Sequence, residues 1–221
     1  MGDYNQLDFI LKHKAEFAGP FLEIGSKDYG STEDLRSLFP EDEYVGVDLS
    51  SGKGVDVVLD FTRPFEEIDA ALKGQRFGTI FCLSVLEHCE QPFIMADNLS
   101  RLLKEGGMIY VSVPFVFRFH GYPSDYWRFT HEGVKKLFPK LRFDQHEGTV
   151  STCLPGEITP LDDTLGQVQI KKSCSRNVGL LKFIAKIKIL KWPLSIIYKL
   201  PPTMINMIGV RMEKDSGGHR D

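Results

Sequence analysis

Residues 21–32 read FLEIGSKDYGST, and the fold turns on how this stretch is parsed. Phe21 to Gly25 is a short apolar run that stops at an acid and a glycine, the signature of a buried strand entering a turn. The loop that follows heads for a helix. Ser31 or Thr32 can cap that helix, with Glu33 and Asp34 favourably placed in its first turn.

Outward from this stretch, strand and helix alternate. Leu7, Ile10, Leu11, Lys14 and Phe17 recur at helical spacing within residues 5–18 and predict an amphipathic opening helix. Strands are expected at Tyr44–Asp48, Val55–Asp60 and Phe77–Leu83, with a proline-started helix from Pro64 to Leu72. A helix from Gln91 to Lys104 should end at Gly106-Gly107, and MIYVSVPF (residues 108–115) makes a fifth strand. Continuous apolar strands alternating with helices call for an α/β fold: a doubly wound, parallel sheet covered on both faces. Beyond it, Thr130 caps a short helix in HEGVKKLF, LRFDQHEGTV reads as a sixth strand, and MINMIGVRME as a seventh.

Composition bounds the rest. The 221 residues suit one domain, 42% hydrophobic and 26% charged, which is neither disordered nor fibrous. Residues 1–20 form the opening helix, 21–118 the core, and 119–221 a loop, a basic helical insertion and the last strand. No charge-free apolar run is long enough to span a membrane, and MGDYNQLDF lacks the pattern of a secretory signal. A cytoplasmic location is expected. Cys82, Cys89, Cys153 and Cys174 form no CxxC pair and no His/Cys cluster, so free thiols and no metal site are expected. Between Thr164 and Met212 lie nine basic residues and no acidic ones, within a chain of net charge −3. Residues 178–200 mix those lysines with large apolar side chains. They read either as a helical insertion closing a site or a dimer, or as a peripheral contact with the inner face of a membrane. An acidic body without a recognisable RNA-binding motif argues against nucleic acid.

Three successive strands end in an acid: Glu23, Asp48 and Asp60. In an open parallel sheet, ligands bind beyond the carboxyl ends of the strands, and an acid ending the second can hold a ribose diol through two hydrogen bonds. Asp48 could equally cap the next turn, and Asp60 could form an Asx turn into Pro64. A dinucleotide diphosphate wants G-x-G-x-x-G. Here Lys27 stands where the second glycine would be, so an adenosine ligand with a positive centre and no phosphates fits better. S-adenosylmethionine has that character.

In order and spacing, LEIGSKDYG, YVGVDLS, VDVVLDF, FCLSVLEH and LLKEGGMIYVSVPF resemble the class I S-adenosylmethionine-dependent methyltransferases, particularly the broad type 11 group. The resemblance runs from about Phe21 to Thr149. HGYPSDYWRFTHEGVKKLF is similar to a subgroup attributed to surface-polysaccharide and natural-product modification. The resemblance implies a Rossmann-like, seven-stranded sheet whose last strand is antiparallel. It also implies that Glu23 and Gly25 line the methionine end of the cofactor and that Asp48 binds the ribose. Asp60 would face the adenine amino group with Phe61 against the ring, and Ser84 would border the reactive methyl. Lys27 and the longer KDYGST turn depart from the family's glycine-rich loop, with Gly30 as the alternative point of close approach.

His120 to Thr130 (HGYPSDYWRFT) follows the fifth strand, at the same mouth of the sheet. Either it is a structured loop, with Trp127 and Phe129 in a core and Asp125 paired to Arg128, or it lines an acceptor pocket through Tyr122, Tyr126, Trp127 and Arg128. An alcohol acceptor needs its proton removed. His120 is the first candidate base, then Asp125, then His88; Glu87 and His88 read otherwise as a helix entry with a packed imidazole. The expected activity is methyl transfer to a small acceptor, a sugar or saccharide hydroxyl. Its rivals are an inactive cofactor-binding, membrane-associated module and a NAD-dependent oxidoreductase.

Overall fold

The computed structural model describes residues 4–30, 34–121, 124–144, 148–151, 156, 158–161, 168–169, 199–200 and 203–212. Tyr122 and nearly all of the basic segment 178–200 therefore lie outside the described residues, as do Ser31, Thr32 and Glu33.

The core of the molecule is a mixed sheet. Strands β1 (Phe21–Ile24), β2 (Tyr44–Asp48) and β3 (Val57–Val58) run parallel to one another, and β4 (Phe77–Leu83) and β5 (Leu103–Pro114) continue the parallel set on the other side of β1. Antiparallel to β5 lies the carboxy-terminal strand, β11 (Met204–Arg211), in the register Ser112↔Asn206. The order is β3-β2-β1-β4-β5-β11, continued on β11 by β6 (Leu141–Phe143) and β7 (Thr149–Ser151) and, beyond β7, by β8 (Ile158–Pro160). This is the Rossmann-like arrangement with an antiparallel last strand that the family resemblance implies. The expected sixth strand is two segments, β6 (Leu141–Phe143) and β7 (Thr149–Ser151), which pair with successive stretches of β11. They share one position in the sheet, giving seven positions, and β8 (Ile158–Pro160) adds an antiparallel edge beyond them. A short pairing of β9 (Val168–Gln169) with β10 (Lys199–Leu200) stands apart.

Alternation along the strands sorts side chains to two cores. Leu22, Ile24, Val47, Ile80, Cys82, Ile109 and Val111 face helices α2 (Phe65–Ala71), α3 (Pro92–Leu102) and α4 (His131–Leu137). Phe21, Tyr44, Phe81 and Tyr110 face the opposite way, packing on Phe9, Ile10 and Phe17 from α1 (Tyr4–His13) and the turn after it. Stacked and edge-on rings join Phe17, Phe21, Phe39 and Phe81, each buried ring contributing on the order of 1.5–3 kcal/mol.

Several sequence expectations need correction. The buried face of α1 carries Asn5, Gln6, Phe9, Ile10 and His13, while Leu11 is exposed; the polar members are drawn inward by hydrogen bonds that hydropathy does not register. The helix after the first loop is one 3-10 stretch, Leu35–Leu38, whose cap is Asp34 accepting from the Ser37 amide. The third strand is only Val57–Val58. Helix α3 stops at Leu102, and Gly106, at φ +72°, makes a bulge inside β5 rather than the helix end. Thr130 does cap α4, accepting from the Gly133 amide at 3.0 Å. Among the described residues, no helix is long and apolar enough to cross a membrane.

Candidate active site

Between β1 and β4 the winding direction of the sheet reverses, and a cleft of about 570 Å³ opens beyond their carboxyl ends. Two residues in left-handed conformations turn the chain away there. Gly25 has φ +74° and donates its amide to the Val47 carbonyl at 2.8 Å. Ser84 has φ +54°, uncommon outside glycine, and its amide donates to the Ser112 carbonyl at 2.9 Å. Added to Gly25, a Cβ would stand 2.8 Å from Val85 Cγ2, so only glycine lets the two strand ends come this close.

One side of the cleft is built by Leu49, Leu59, Asp60, Phe61 and Thr62, with Tyr29 at its rim. Phe61 is held from behind: Asn98 Nδ2 donates to its carbonyl at 2.9 Å and to that of Arg63 at 3.0 Å. Asp60 lines the cleft while its Oδ1 accepts from both the amide and the hydroxyl of Thr62 at 2.8 Å. The Asx turn and a position facing the cleft thus coexist, because the second carboxylate oxygen is not used by the turn. Asp48 ends β2 and its Oδ1 accepts from the Ser50 amide at 3.0 Å; the adjacent cleft wall is Leu49.

A second hollow of about 260 Å³ meets the first at Ile24 and Gly25. It is charged, lined by Glu23, Lys27, Asp28, Asp34, Arg36 and Lys53. Glu23 points to the α1 side of the sheet and accepts from the Tyr44 hydroxyl at 2.7 Å; burial raises its pKa above the ordinary glutamate value, against the lowering effect of that hydrogen bond. Lys27 reaches Ser50 at 3.0 Å, joining the first loop to the turn after β2. Gly30, at φ +87°, donates its amide N–H to Asp28 Oδ1 on an open surface and lines neither hollow. The close approach belongs instead to Gly25 and to Gly54, where a Cβ would be 2.5 Å from the Ser26 carbonyl oxygen.

The far side of the large cleft is made by the loops after β4 and β5: Ser84, Glu87, His88, Phe117, His120 and Tyr126. These strands are parallel neighbours, so their following loops meet. Glu87 is 1% exposed, and burial pushes its carboxyl up to about 8. Its Oε2 has no hydrogen-bond partner. His88 Nδ1 is 2.5 Å from the Ser124 carbonyl, to which it must donate, leaving Nε2 as an acceptor; burial lowers its pKa. His120 stands edge-on to His88, ring centroids 4.9 Å apart, with Nδ1 3.1 Å from Asp125 Oδ2.

The remaining candidates have other partners. Asp125 has a fully covered side chain, holds Arg128 through two hydrogen bonds of 2.5 and 2.8 Å, and accepts from the His120 amide. The Arg128 guanidinium holds its carboxyl well below the usual range. Neither residue lines the cleft: the pair ties the loop down, Arg128 also donating to the carbonyls of Phe117 and Arg118, and Asp125 orients His120 rather than meeting a substrate. Trp127 is 40% exposed, in no core and not part of the cleft lining; its Nε1 donates at 2.8 Å to the carbonyl of Cys89, which does line the cleft. Tyr126 does line it, fixed by the hydrogen bond its amide donates to the Glu87 carbonyl at 2.8 Å.

Sequence reasoning missed Gln6. Buried in α1, its Nε2 donates to Ser84 Oγ at 3.0 Å and Ser112 Oγ at 2.7 Å. Ser112 in turn donates to Asn206 Oδ1 at 2.7 Å, so a polar chain runs from the opening helix through β5 to β11. No local pattern announces it. Glu87 was legible only as part of LEH after the fourth strand, beside a histidine after the fifth.

No protein-family model matches the chain, and no curated protein matches its sequence. Solved structures do match. A SAM-dependent methyltransferase from Archaeoglobus fulgidus superposes with TM-score 0.53 at 15% identity, over 95% of each chain. The fold is that of the SAM-dependent methyltransferases. An S-adenosylmethionine-dependent methyltransferase from Clostridium acetobutylicum gives TM-score 0.54 at 12% identity over 96% of this chain and 93% of its own. The N-methyltransferase NodS from Bradyrhizobium japonicum, in complex with S-adenosyl-L-homocysteine, gives 0.53 at 12% identity over 95% and 86%.

Proposed function

We propose that the chain binds S-adenosylmethionine across the two joined hollows and directs its methyl to a small acceptor, a hydroxyl of a sugar or saccharide intermediate. The observation that carries this reading is the meeting at Gly25 of an apolar cleft and a charged hollow, at the switch point of a methyltransferase fold. The residues fit such a ligand. The larger cleft has Phe61 and Leu49 for a base, with Asp60 facing it and Asp48 at the strand end beside it. The smaller has both carboxylates and ammonium groups for an amino acid's two charges, and a Cβ at Gly25 would fill the passage between them.

When bound, S-adenosylmethionine supplies a methyl on a sulfonium, already a good leaving group. The chain's part is then alignment and exclusion of water, and a fixed near-attack geometry can be worth roughly 7–11 kcal/mol. The rings of Phe117 and Tyr126, with the two imidazoles, form the kind of surface on which a sugar stacks. The proton of its hydroxyl faces the Nε2 acceptors of His120 and His88, and the Asp125 carboxylate beside His120 Nδ1 steadies the ring that gains it.

Calorimetric titration with S-adenosylmethionine, S-adenosylhomocysteine and NAD tests the reading, in wild type and in Asp48→Ala and Asp60→Ala. Binding of the first two ligands, weakened in both variants, is expected, followed by turnover in a screen of sugar acceptors. Binding of NAD alone would overturn it. Cofactor binding without transfer to any hydroxyl, amine or carboxylate would leave a binding module.

A further inference from the structure

From Glu87, His88 and His120 we infer a binding site for a divalent first-row transition-metal ion, which would hold the acceptor oxygen at the methyl-transfer cleft. Each residue offers one ligand atom, and the three atoms lie within 4.8 Å of one another. Bonds of about 2.0–2.2 Å would place such atoms about 3 Å apart in cis and about 4.3 Å apart in trans, so small side-chain adjustments close the set around an ion. His88 Nε2 is already 3.9 Å from Glu87 Oε1.

Two further observations point to a cation. Glu87 is 1% exposed and its Oε2 has no hydrogen-bond partner, an expensive state for a carboxyl group facing a cleft. Each imidazole is also turned as a metal-bound histidine is. Its Nδ1 is engaged behind it, by the Ser124 carbonyl for His88 and, for His120, by the Arg118 carbonyl at 3.1 Å with Asp125 Oδ2 equally near, which leaves Nε2 available to an ion. Arg128, the nearby cation, is already neutralised by Asp125.

Two imidazoles and one carboxylate suit Mn²⁺, Co²⁺ or Zn²⁺ and leave coordination positions open. An acceptor hydroxyl bound there would lose its proton to solvent under the ion's charge. The resulting oxyanion attacks the methyl carbon, the carbon–sulfur bond breaks, and its electron pair leaves with S-adenosylhomocysteine. The three side chains then act as ligands in place of proton acceptors. The step rests on the methyl-transfer reading above, but the metal site itself does not.

Chelator-treated, dialysed protein would be titrated with Mn²⁺, following free ion by electron paramagnetic resonance, and with Co²⁺, following its visible absorption. One site per chain is expected in wild type, with the Co²⁺ band marking nitrogen ligands. Affinity should fall at least tenfold in His120→Ala, whose partly exposed loop position tolerates truncation, and in Glu87→Gln. Asp125→Asn, which among the three ligands touches only His120 and also weakens the pair with Arg128, should lose about 10–100-fold. Far-UV circular dichroism verifies that the variants fold. Absence of Mn²⁺ and Co²⁺ binding in wild type, or binding unchanged in folded His120→Ala and Glu87→Gln, would overturn the site. Calorimetry with S-adenosylhomocysteine on the same samples is read separately, so loss of the cofactor reading and loss of the metal site are distinguishable.

Discussion

Gly25 sits where both hollows meet, and replacing it with alanine tests the geometry of the whole site. At φ +74° an L-residue is in the left-handed region, which costs about 1–2 kcal/mol. Its new Cβ would stand 2.8 Å from Val85 Cγ2. Valine is stiff about χ1 and cannot swing away freely, so relief requires the β1 or β4 end to shift, at a further cost of about 1–3 kcal/mol. Gly25→Ala should therefore lose about 2–5 kcal/mol in urea unfolding, and cofactor affinity with it. Trimming the obstacle separates the two contributions. In a Val85→Ala background the contact is gone and the backbone cost remains, so the Gly25→Ala penalty should shrink by about 1–3 kcal/mol, a coupling of the size expected for residues in contact. Equal penalties in both backgrounds would refute the contact. A Gly25→Ala protein as stable as wild type would refute the left-handed turn itself.

The polar chain across the sheet predicts that Asn206→Ala costs about 2–4 kcal/mol, because Ser112 loses its acceptor inside the core. Ser112→Ala should cost less, and the double variant measured by urea unfolding should fall short of additivity by about 1 kcal/mol or more. Glu23 sets a pH dependence. Its folded-state pKa lies above the ordinary value of 4.5, so the folded chain keeps a proton that the unfolded chain releases. Stability from this group is full below about 4.5 and falls as pH rises through the raised value. Glu23→Gln should remove that slope, seen as a wild-type-minus-variant difference in melting temperature that changes with pH; a constant difference would contradict it. Lys27→Met should change stability by under about 1 kcal/mol, since the Ser50 contact is exposed, and a larger loss on thermal melting would show that the first loop depends on it.

What was legible in the sequence is what short-range periodicity encodes. Apolar runs such as FLEI, YVGVD and FGTIFCL, and the Thr130 cap, each depend on neighbours within a few residues, and the structure has them where that pattern puts them. Order-preserving motifs extended this to the topology, including an antiparallel last strand that no local pattern reports. Polarity misled at α1, where Gln6 and His13 are buried and Leu11 is not. It also misled at Gly106-Gly107, whose backbone freedom serves a bulge within β5.

The candidate site divides in the same way. Gly25, Asp60 and Ser84 line the cleft because the loops after parallel strands share one mouth, whereas Asp48 ends its strand beside that cleft and lines neither hollow. The roles of Asp125 and Arg128 were not legible, because composition cannot say whether an acid and a base in one loop meet each other or a ligand. Most dependent on tertiary structure are Glu87, His88 and His120, in loops that β4 and β5 bring together only as parallel neighbours. Sequence by itself determined the first, second, fourth and fifth strands, the acid that ends the second and the side of the sheet on which the cleft opens, since these follow from chain-local periodicity and steric rules. Tertiary structure alone decided which buried polar groups have partners and which, like Glu87 Oε2, do not, because a hydrogen bond needs two groups within about 3 Å and that distance is set by packing across the whole sheet.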